Sequence, residues 1–133
     1  MSLYNIRPAK PEDMNFVMAT FLRGLYYGDP WYTQIPKDIF MSVYKQIAQK
    51  AWESPTVVIK VACLKEDENV ILGYSVLSAD NAAILWVFVK TAFRNQGIAR
   101  SLVPSSPVFV THLTTLGKTL LPKLNGAVFN PFL

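Results

Sequence analysis

The residues of this chain whose types and spacing suit chemistry lie in the stretch ILWVFVKTAFRNQGIARS, Ile84 to Ser101. An apolar run breaks at Lys90, a polar turn follows, and Gly97 opens a segment to Val103 that can make two helical turns before Pro104 ends it. The start of a helix presents backbone N–H groups that have no partner within the helix. Together with the helix dipole they suit a phosphate without any basic side chain. Gly97 lets a ligand oxygen approach the main chain where a Cβ would intrude, and Ala99 is small for the same reason. Arg94 and Arg100 add positive charge at the rim. No Gly-Lys-Ser/Thr follows and no Gly-x-Gly-x-x-Gly is present, so the loop is neither a P-loop nor a dinucleotide fingerprint.

Groups able to move a proton are few. His112 is the only histidine, and its ordinary pKa near 6.5 suits a relay at neutral pH. Glu53, after the second helical segment, and Asp80, before the fourth strand, are the further candidates for a base. All nine acidic residues fall in the first 80 positions, whereas residues 81–133 carry Lys90, Arg94, Arg100, Lys118 and Lys123. That half should project a positive potential toward an anionic ligand. No metal site is read from the residues. The single Cys63 lies in a strand-like segment and reads as a small buried hydrophobe.

These groups need elements to position them. Leu3 to Arg7 reads as a strand closed by Pro8. From Pro11, the spacing of Met14, Val17, Met18, Phe21, Leu22 and Leu25 predicts a helix that stops near Gly28. A second helix is expected from about Pro36 to Trp52, with Ile39, Phe40, Val43, Tyr44, Ile47 and Ala51 on its buried side. Thr56–Leu64 and Val70–Ser78 read as a hairpin around a charged turn, and Ala82–Val89 as a central strand covered on both faces. A fifth strand is expected in PVFVTHLT, a weaker helix in TTLGKTLLPKL and a last short strand over Ala127 to Asn130. The order β-α-α-β-β-β-α-β-α-β predicts a mixed α/β layer fold in one domain, residues 1–133. No apolar run approaches the roughly 20 residues of a membrane-spanning helix, and no secretion signal opens the chain, so a soluble cytoplasmic protein is expected.

Arg94-x-x-Gly97-x-Ala99, after LWVFV and before an apolar helix start, resembles the pyrophosphate loop of the GNAT (GCN5-related) family of acyl-CoA-dependent N-acyltransferases. The opening YNIRPAKPEDMNFV and the order of elements resemble the same family, so the likeness spans nearly the whole chain. The resemblance implies a central mixed sheet with helices on both faces, acetyl-CoA as cosubstrate and a primary amine as acceptor. It implies that the backbone of Phe88 and Val89 pairs with the pantetheine arm, while Arg94, Asn95, Gln96, Gly97, Ile98 and Ala99 wrap the pyrophosphate with Arg100 and Ser101 close by. It also hangs the link between the first two helices over the acceptor site. There Tyr27, Asp29, Trp31 and Tyr32 could hold an amine by charge and cation–π contacts, or else anchor the link on the core.

The sequence departs from the family after the loop. Pro104 cuts the usual long helix short, no tyrosine follows Tyr74, and the fourth strand carries Ala83, Leu85 and Trp86 where a carboxylate is common. Two readings therefore compete: an N-acetyltransferase working by direct attack of the amine, and a non-catalytic module that binds CoA or a protein partner. The edge of a final strand offers a possible homodimer contact. The basic residues do not cluster with the aromatics, which argues against nucleic acid. The acceptor stays open among small amines, aminoglycosides, peptide N-termini and protein lysines.

Overall fold

A computed structural model describes residues 3–78, 83–94, 97–103, 109–110 and 128–129. Strand β1 (Tyr4–Pro8) leads through a 3-10 turn (Pro11–Asp13) into helix α1 (Met14–Tyr26). A single helical turn, α2 (Pro30–Thr33), and the long α3 (Lys37–Glu53) follow. Then come β2 (Val57–Leu64), β3 (Ile71–Ser78), β4 (Ala83–Val89), α4 (Ile98–Leu102), β5 (Phe109–Val110) and β6 (Val128–Phe129). The six strands lie side by side in sequence order. The first four are antiparallel neighbours, whereas β5 runs parallel to β4 and β6 parallel to β5. The mixed α/β architecture is as the sequence predicts, and so, within a residue or two, are α1, α3 and the strands β2 to β4. The expected helix in TTLGKTLLPKL lies outside the described residues.

The sheet is covered on both faces. On one side Val17, Phe21 and Leu25 of α1 and Phe40 of α3 pack with Val61, Tyr74, Val76 and Trp86. On the other, Ile98 and Leu102 of α4 pack with Ala62, Leu72 and Val89. The alternation of side chains along β3 sends Tyr74 and Val76 to the first layer, while Ser75 donates to the Leu102 carbonyl of α4 at 2.8 Å. Cys63 is buried, as expected.

Two sequence expectations are corrected. Pro8 belongs to β1 instead of closing it, paired with Lys60. A proline is tolerated there because β1 is the outermost strand and its missing N–H interrupts no ladder. Helix α3 also shows a different face: Ile39, Val43 and Ile47 are 54%, 49% and 43% exposed. The buried line runs one position along, from Phe40 through Tyr44 to Ala48. Phe40 stacks on Tyr44 at 4.6 Å and meets Tyr26 at 4.8 Å, so burying the rings decides the helix rotation over the aliphatic stripe beside them.

One guanidinium ties β1 to two other places. Arg7 holds Asp13 through paired bonds of 2.7 and 3.0 Å and donates to the carbonyls of Pro8 and Glu68. Asp13 also accepts from the Lys10 amide at 2.7 Å. Burial alone would raise the Asp13 carboxyl, but these bonds hold it below the usual carboxylate range. A carboxyl depressed on folding stabilises above its unfolded pKa of about 3.9 and loses that contribution as pH falls through the folded value. Asp13→Asn should therefore lower stability by about 2–3 kcal/mol at pH 7. The gap to wild type in urea titrations should stay full above about pH 5 and close as pH drops below about 4.

Candidate functional site

The site begins with an irregularity in β4. Its pairing with β3 runs Val89↔Gly73, Phe88↔Tyr74, Val87↔Ser75 and Trp86↔Val76, then steps to Ile84↔Leu77. Leu85 is thus an extra residue, a β-bulge, and it lets Leu85 and Trp86 both face the α1 and α3 layer. On its other edge β4 pairs with β5 in parallel, among the described residues at Ala83↔Phe109 and Ile84↔Val110. The Lys90 amide donates to the Leu72 carbonyl at 2.8 Å. By antiparallel alternation the backbone groups of Phe88 and Trp86 then bond to β3, and those of Val87 and Val89 turn the other way. The outward groups are thus those of Val87 and Val89, while the Phe88 ring packs on Phe16 and Tyr74.

Past β4 a 3-10 turn (Thr91–Phe93) reverses the chain. Arg94 folds back so that its Nε donates to the Val89 carbonyl at 3.1 Å, which leaves its two terminal nitrogens without a protein partner among the described residues. Gly97 then caps α4 at φ 82°, in the left-handed region that favours glycine. A Cβ there would meet nothing within 4 Å, so the space above the turn is open. The first bond of α4 runs from the Ser101 amide to the Gly97 carbonyl at 3.1 Å, and the amides of Ile98, Ala99 and Arg100 precede it. Gly97, Ala99, Arg100 and Ser101 are exposed, whereas the Ile98 side chain is a core residue that anchors the turn. Asn95 and Gln96 lie outside the described residues.

Two residues near the turn were not singled out from the sequence. Tyr4 of β1 bonds its hydroxyl to Ser101 Oγ at 2.8 Å, and Ser101 Oγ also donates to the Gly97 carbonyl at 3.0 Å. Lys90 places its ammonium 5.3 Å from the centre of the Phe16 ring. Only the position of Lys90, last before the turn, was a signal in the sequence. Tyr4 is brought in by a strand pairing 97 residues from Ser101.

Of the expected proton acceptors only Glu53 is among the described residues. Glu53 ends α3, exposed, accepting from Gln49 at 3.3 Å. The chain after it enters β2 at Val57, opposite Ser78, whereas the Gly97 turn follows Val89, opposite Gly73. Five residues of extended strand, roughly 17 Å, separate those two levels of the sheet. Asp80 and His112 lie outside the described residues. Tyr74 is wholly buried, its hydroxyl bonded to Thr20 and to the Val17 carbonyl, and burial raises its pKa.

The aromatic link between α1 and α3 divides. Asp29 is buried and caps α2 by accepting from the Trp31 amide at 3.0 Å. Tyr32 packs on Phe40 and Tyr44, and burial pushes its hydroxyl up to about 12. These two anchor the link on the core. Tyr27 and Trp31 are each 59% exposed. The protein's own Lys37 ammonium sits 5.5 Å from the centre of the Tyr27 ring and 3.1 Å from its hydroxyl, so a cation already occupies that face. Among the described residues no helix is long and apolar enough to cross a membrane, and no group of three or more His, Cys, Asp or Glu could hold a metal.

Close contact between β3 and β4 keeps this edge in place. A Cβ on Gly73 would lie 2.5 Å from the Phe88 carbonyl oxygen and 3.2 Å from Val89 Cα, both backbone atoms. Gly73→Ala should push β4 away and cost about 1–3 kcal/mol. Thermal melting of the two proteins side by side measures it; equal melting temperatures would mean that β4 yields freely.

No family model and no curated protein matches the sequence. Solved structures do. A Pyrococcus furiosus protein assigned as an acetyl transferase superposes with a TM-score of 0.59 at 16% identity, over 74% of this chain and 68% of its own. The GCN5-related N-acetyltransferase of Rhodopseudomonas palustris gives 0.53 at 22% identity, over 77% of this chain. The PaiA N-acetyltransferase of Thermoplasma acidophilum, in complex with coenzyme A, gives 0.50 at 15% identity, over 77% of this chain and 67% of its own. This chain spans 62% of the Rhodopseudomonas structure's length. The bulged fourth strand, its parallel neighbour β5 and the glycine turn into α4 thus stand in a shared framework: the chain has the fold of the GCN5-related N-acetyltransferases.

Proposed function

We propose that this chain is an acyl-CoA-dependent N-acyltransferase, with acetyl-CoA as cosubstrate and a primary amine as acceptor. The observation that carries the reading is the edge of β4 beyond its bulge, which turns the backbone of Val87 and Val89 away from β3 and runs directly into the Gly97 turn. The residues fit the cosubstrate. The amides of Ile98, Ala99 and Arg100 and the two terminal nitrogens of Arg94, which have no partner among the described residues, supply donors for a pyrophosphate, and a Cβ on Gly97 would meet no described atom within 4 Å. Asn95 and Gln96 complete the loop. A pantetheine arm fits along β4 as an extra strand, facing Val87 and Val89 with Phe88 between them.

Bound there, acetyl-CoA supplies its acyl group as a thioester. The chain's part is to fix that group against an incoming neutral amine and to offer backbone N–H to its carbonyl oxygen. The amine proton leaves through His112 or Asp80, or through water to Glu53. The solved structures with this fold that are named as acetyltransferases support the chemistry, and the PaiA structure in complex with coenzyme A supports the cosubstrate. A second reading, CoA binding without transfer, draws on the Tyr74 hydroxyl being buried and bonded to Thr20 and the Val17 carbonyl. In that reading a second copy would pair on the β6 edge.

Calorimetric titration of CoA and acetyl-CoA into the protein tests both. Wild type should bind each at micromolar level. Gly97→Glu, which sets a carboxylate among the donors, should weaken both at least tenfold, about 1.4 kcal/mol, with an unchanged circular dichroism spectrum. A folded wild type that binds neither ends the transferase reading. Binding without turnover across an amine panel favours the second.

A further inference from the structure

Helix α1 carries Phe16, Thr20, Arg23 and Tyr27 at spacings of four, three and four, so these side chains line one flank of it. That flank faces the β4 side of the sheet. Phe16 packs edge-on to the Phe88 ring at 6.1 Å, and Thr20 bonds to the Tyr74 hydroxyl at 2.8 Å. The opposite flank, at Met18, borders Ile47 and Ala48 of α3. The helix also runs along β4 from one end of the proposed site to the other. Phe16 stands at Phe88, toward the Gly97 turn, whereas Phe21 meets Trp86 at 5.1 Å and Gly24 lies against the same ring. Arg23 and Tyr27 thus stand at the bulged end of β4, where the thioester of a cosubstrate laid along Val89 and Val87 would end.

The exposed charge at that end is positive. The Lys37 ammonium reaches the Tyr27 hydroxyl at 3.1 Å, and Arg23 stands one helical turn before Tyr27. Neither cation pairs with a carboxylate among the described residues, whose ion pairs are Arg7–Asp13 and Lys10–Glu68. Asp29 is buried and accepts from the Trp31 amide, and the exposed Asp38, next in the chain to Lys37, makes no ion pair with it. Arg23 in the last turn of α1 suits the dipole of its helix, whereas Lys37 in the first turn of α3 opposes its own. Helix stability therefore does not account for Lys37. We propose that Arg23 and Lys37 seat a carboxylate or phosphate carried by the acceptor, so that the substrate is a small amine with an anionic group, such as an amino acid. The inference rests on the transferase reading above. A guanidinium forks onto two oxygens of such a group, and the ammonium adds a second charge. With the anion held there, the neutral amine nitrogen bonds to the acyl carbon and the C–S bond breaks with its electron pair on sulfur. The proton lost from nitrogen balances the one taken up by the thiolate. A polyamine or an aminoglycoside would instead meet like charge.

The test is thiol release from acetyl-CoA with matched amines: leucine against leucinamide, O-phosphoethanolamine against ethanolamine, and spermidine besides. The anionic member of a pair should show a kcat/KM roughly tenfold higher, although leucinamide has the less basic and more readily neutral amine. The pair that shows the larger ratio tells carboxylate from phosphate. Arg23→Gln and Lys37→Gln should each raise the KM of the anionic acceptor roughly tenfold, while the calorimetric Kd of acetyl-CoA stays that of the wild type. Both side chains are exposed, so these variants should melt with the wild type. Arg23→Glu should move the preference toward spermidine. Wild-type turnover of ethanolamine or spermidine at or above that of the anionic amines overturns the inference and leaves the transferase reading standing. A preference that survives both Gln substitutions also overturns it. Should acetyl-CoA bind without turnover, leucine and O-phosphoethanolamine are titrated into the CoA-saturated protein. Binding that Arg23→Gln abolishes supports the inference, and no binding overturns it. A wild type that binds no acetyl-CoA ends both.

Discussion

Strand β4 is held along its whole length on one edge and over only two described residues on the other. A buried backbone N–H or C=O needs a partner, so the groups of Val87 and Val89 that turn away from β3 must be met by something other than β3. Part of the answer is internal, because the Arg94 side chain takes the Val89 carbonyl. What remains is an extended edge beside a turn that offers N–H donors, with no acidic residue after Asp80 to oppose an anion. The bulge at Leu85 bends β4 directly after Ala83 and Ile84, the residues that pair with β5 among those described.

The two packed layers give that edge its rigidity. On the α1 side, Trp86 meets Phe21 edge-on at 5.1 Å and Gly24 leaves room for its ring, where a Cβ would approach to 3.1 Å. On the other side α4, though one turn long, is pinned by buried Ile98 and Leu102, by Ser75 to the Leu102 carbonyl, and by Tyr4 to Ser101. A helix of five residues could not stand alone in water. Tertiary contact holds its N-terminal amides in position.

Much of this was legible in the residues. The Arg94 to Ala99 turn was visible because a glycine and two arginines at a strand-to-helix junction form a local pattern, and its φ of 82° explains why glycine stands there. The strands were legible from their β-branched runs and charged turns. The bulge was not: in AILWVFV every residue is apolar, so nothing in the alternation marks the slip at Leu85. The face of α3 was read too broadly: Phe40 and Tyr44 pack on the core as expected, but Ile39, Val43 and Ile47 have the same spacing one position back, and only the packing of the rings chooses between the two lines. In YYGDPWYT, the family resemblance offered an acceptor surface and left anchoring on the core as the alternative. The structure puts Asp29 to work as a helix cap and Tyr32 in the core, roles that depend on a four-residue helix no periodicity could reveal.

The proline in β1 bears on how this sheet could grow. An outermost strand is a template on which another chain can lay itself down, and this one is five residues long with Pro8 at its end. Pro8 has no N–H to offer an incoming strand. Arg7 beside it spends its guanidinium on Asp13 and on the Pro8 and Glu68 carbonyls. The β1 border is therefore a poor seed for fibril-like stacking, and any extension of the sheet into a larger assembly is steered toward its opposite border.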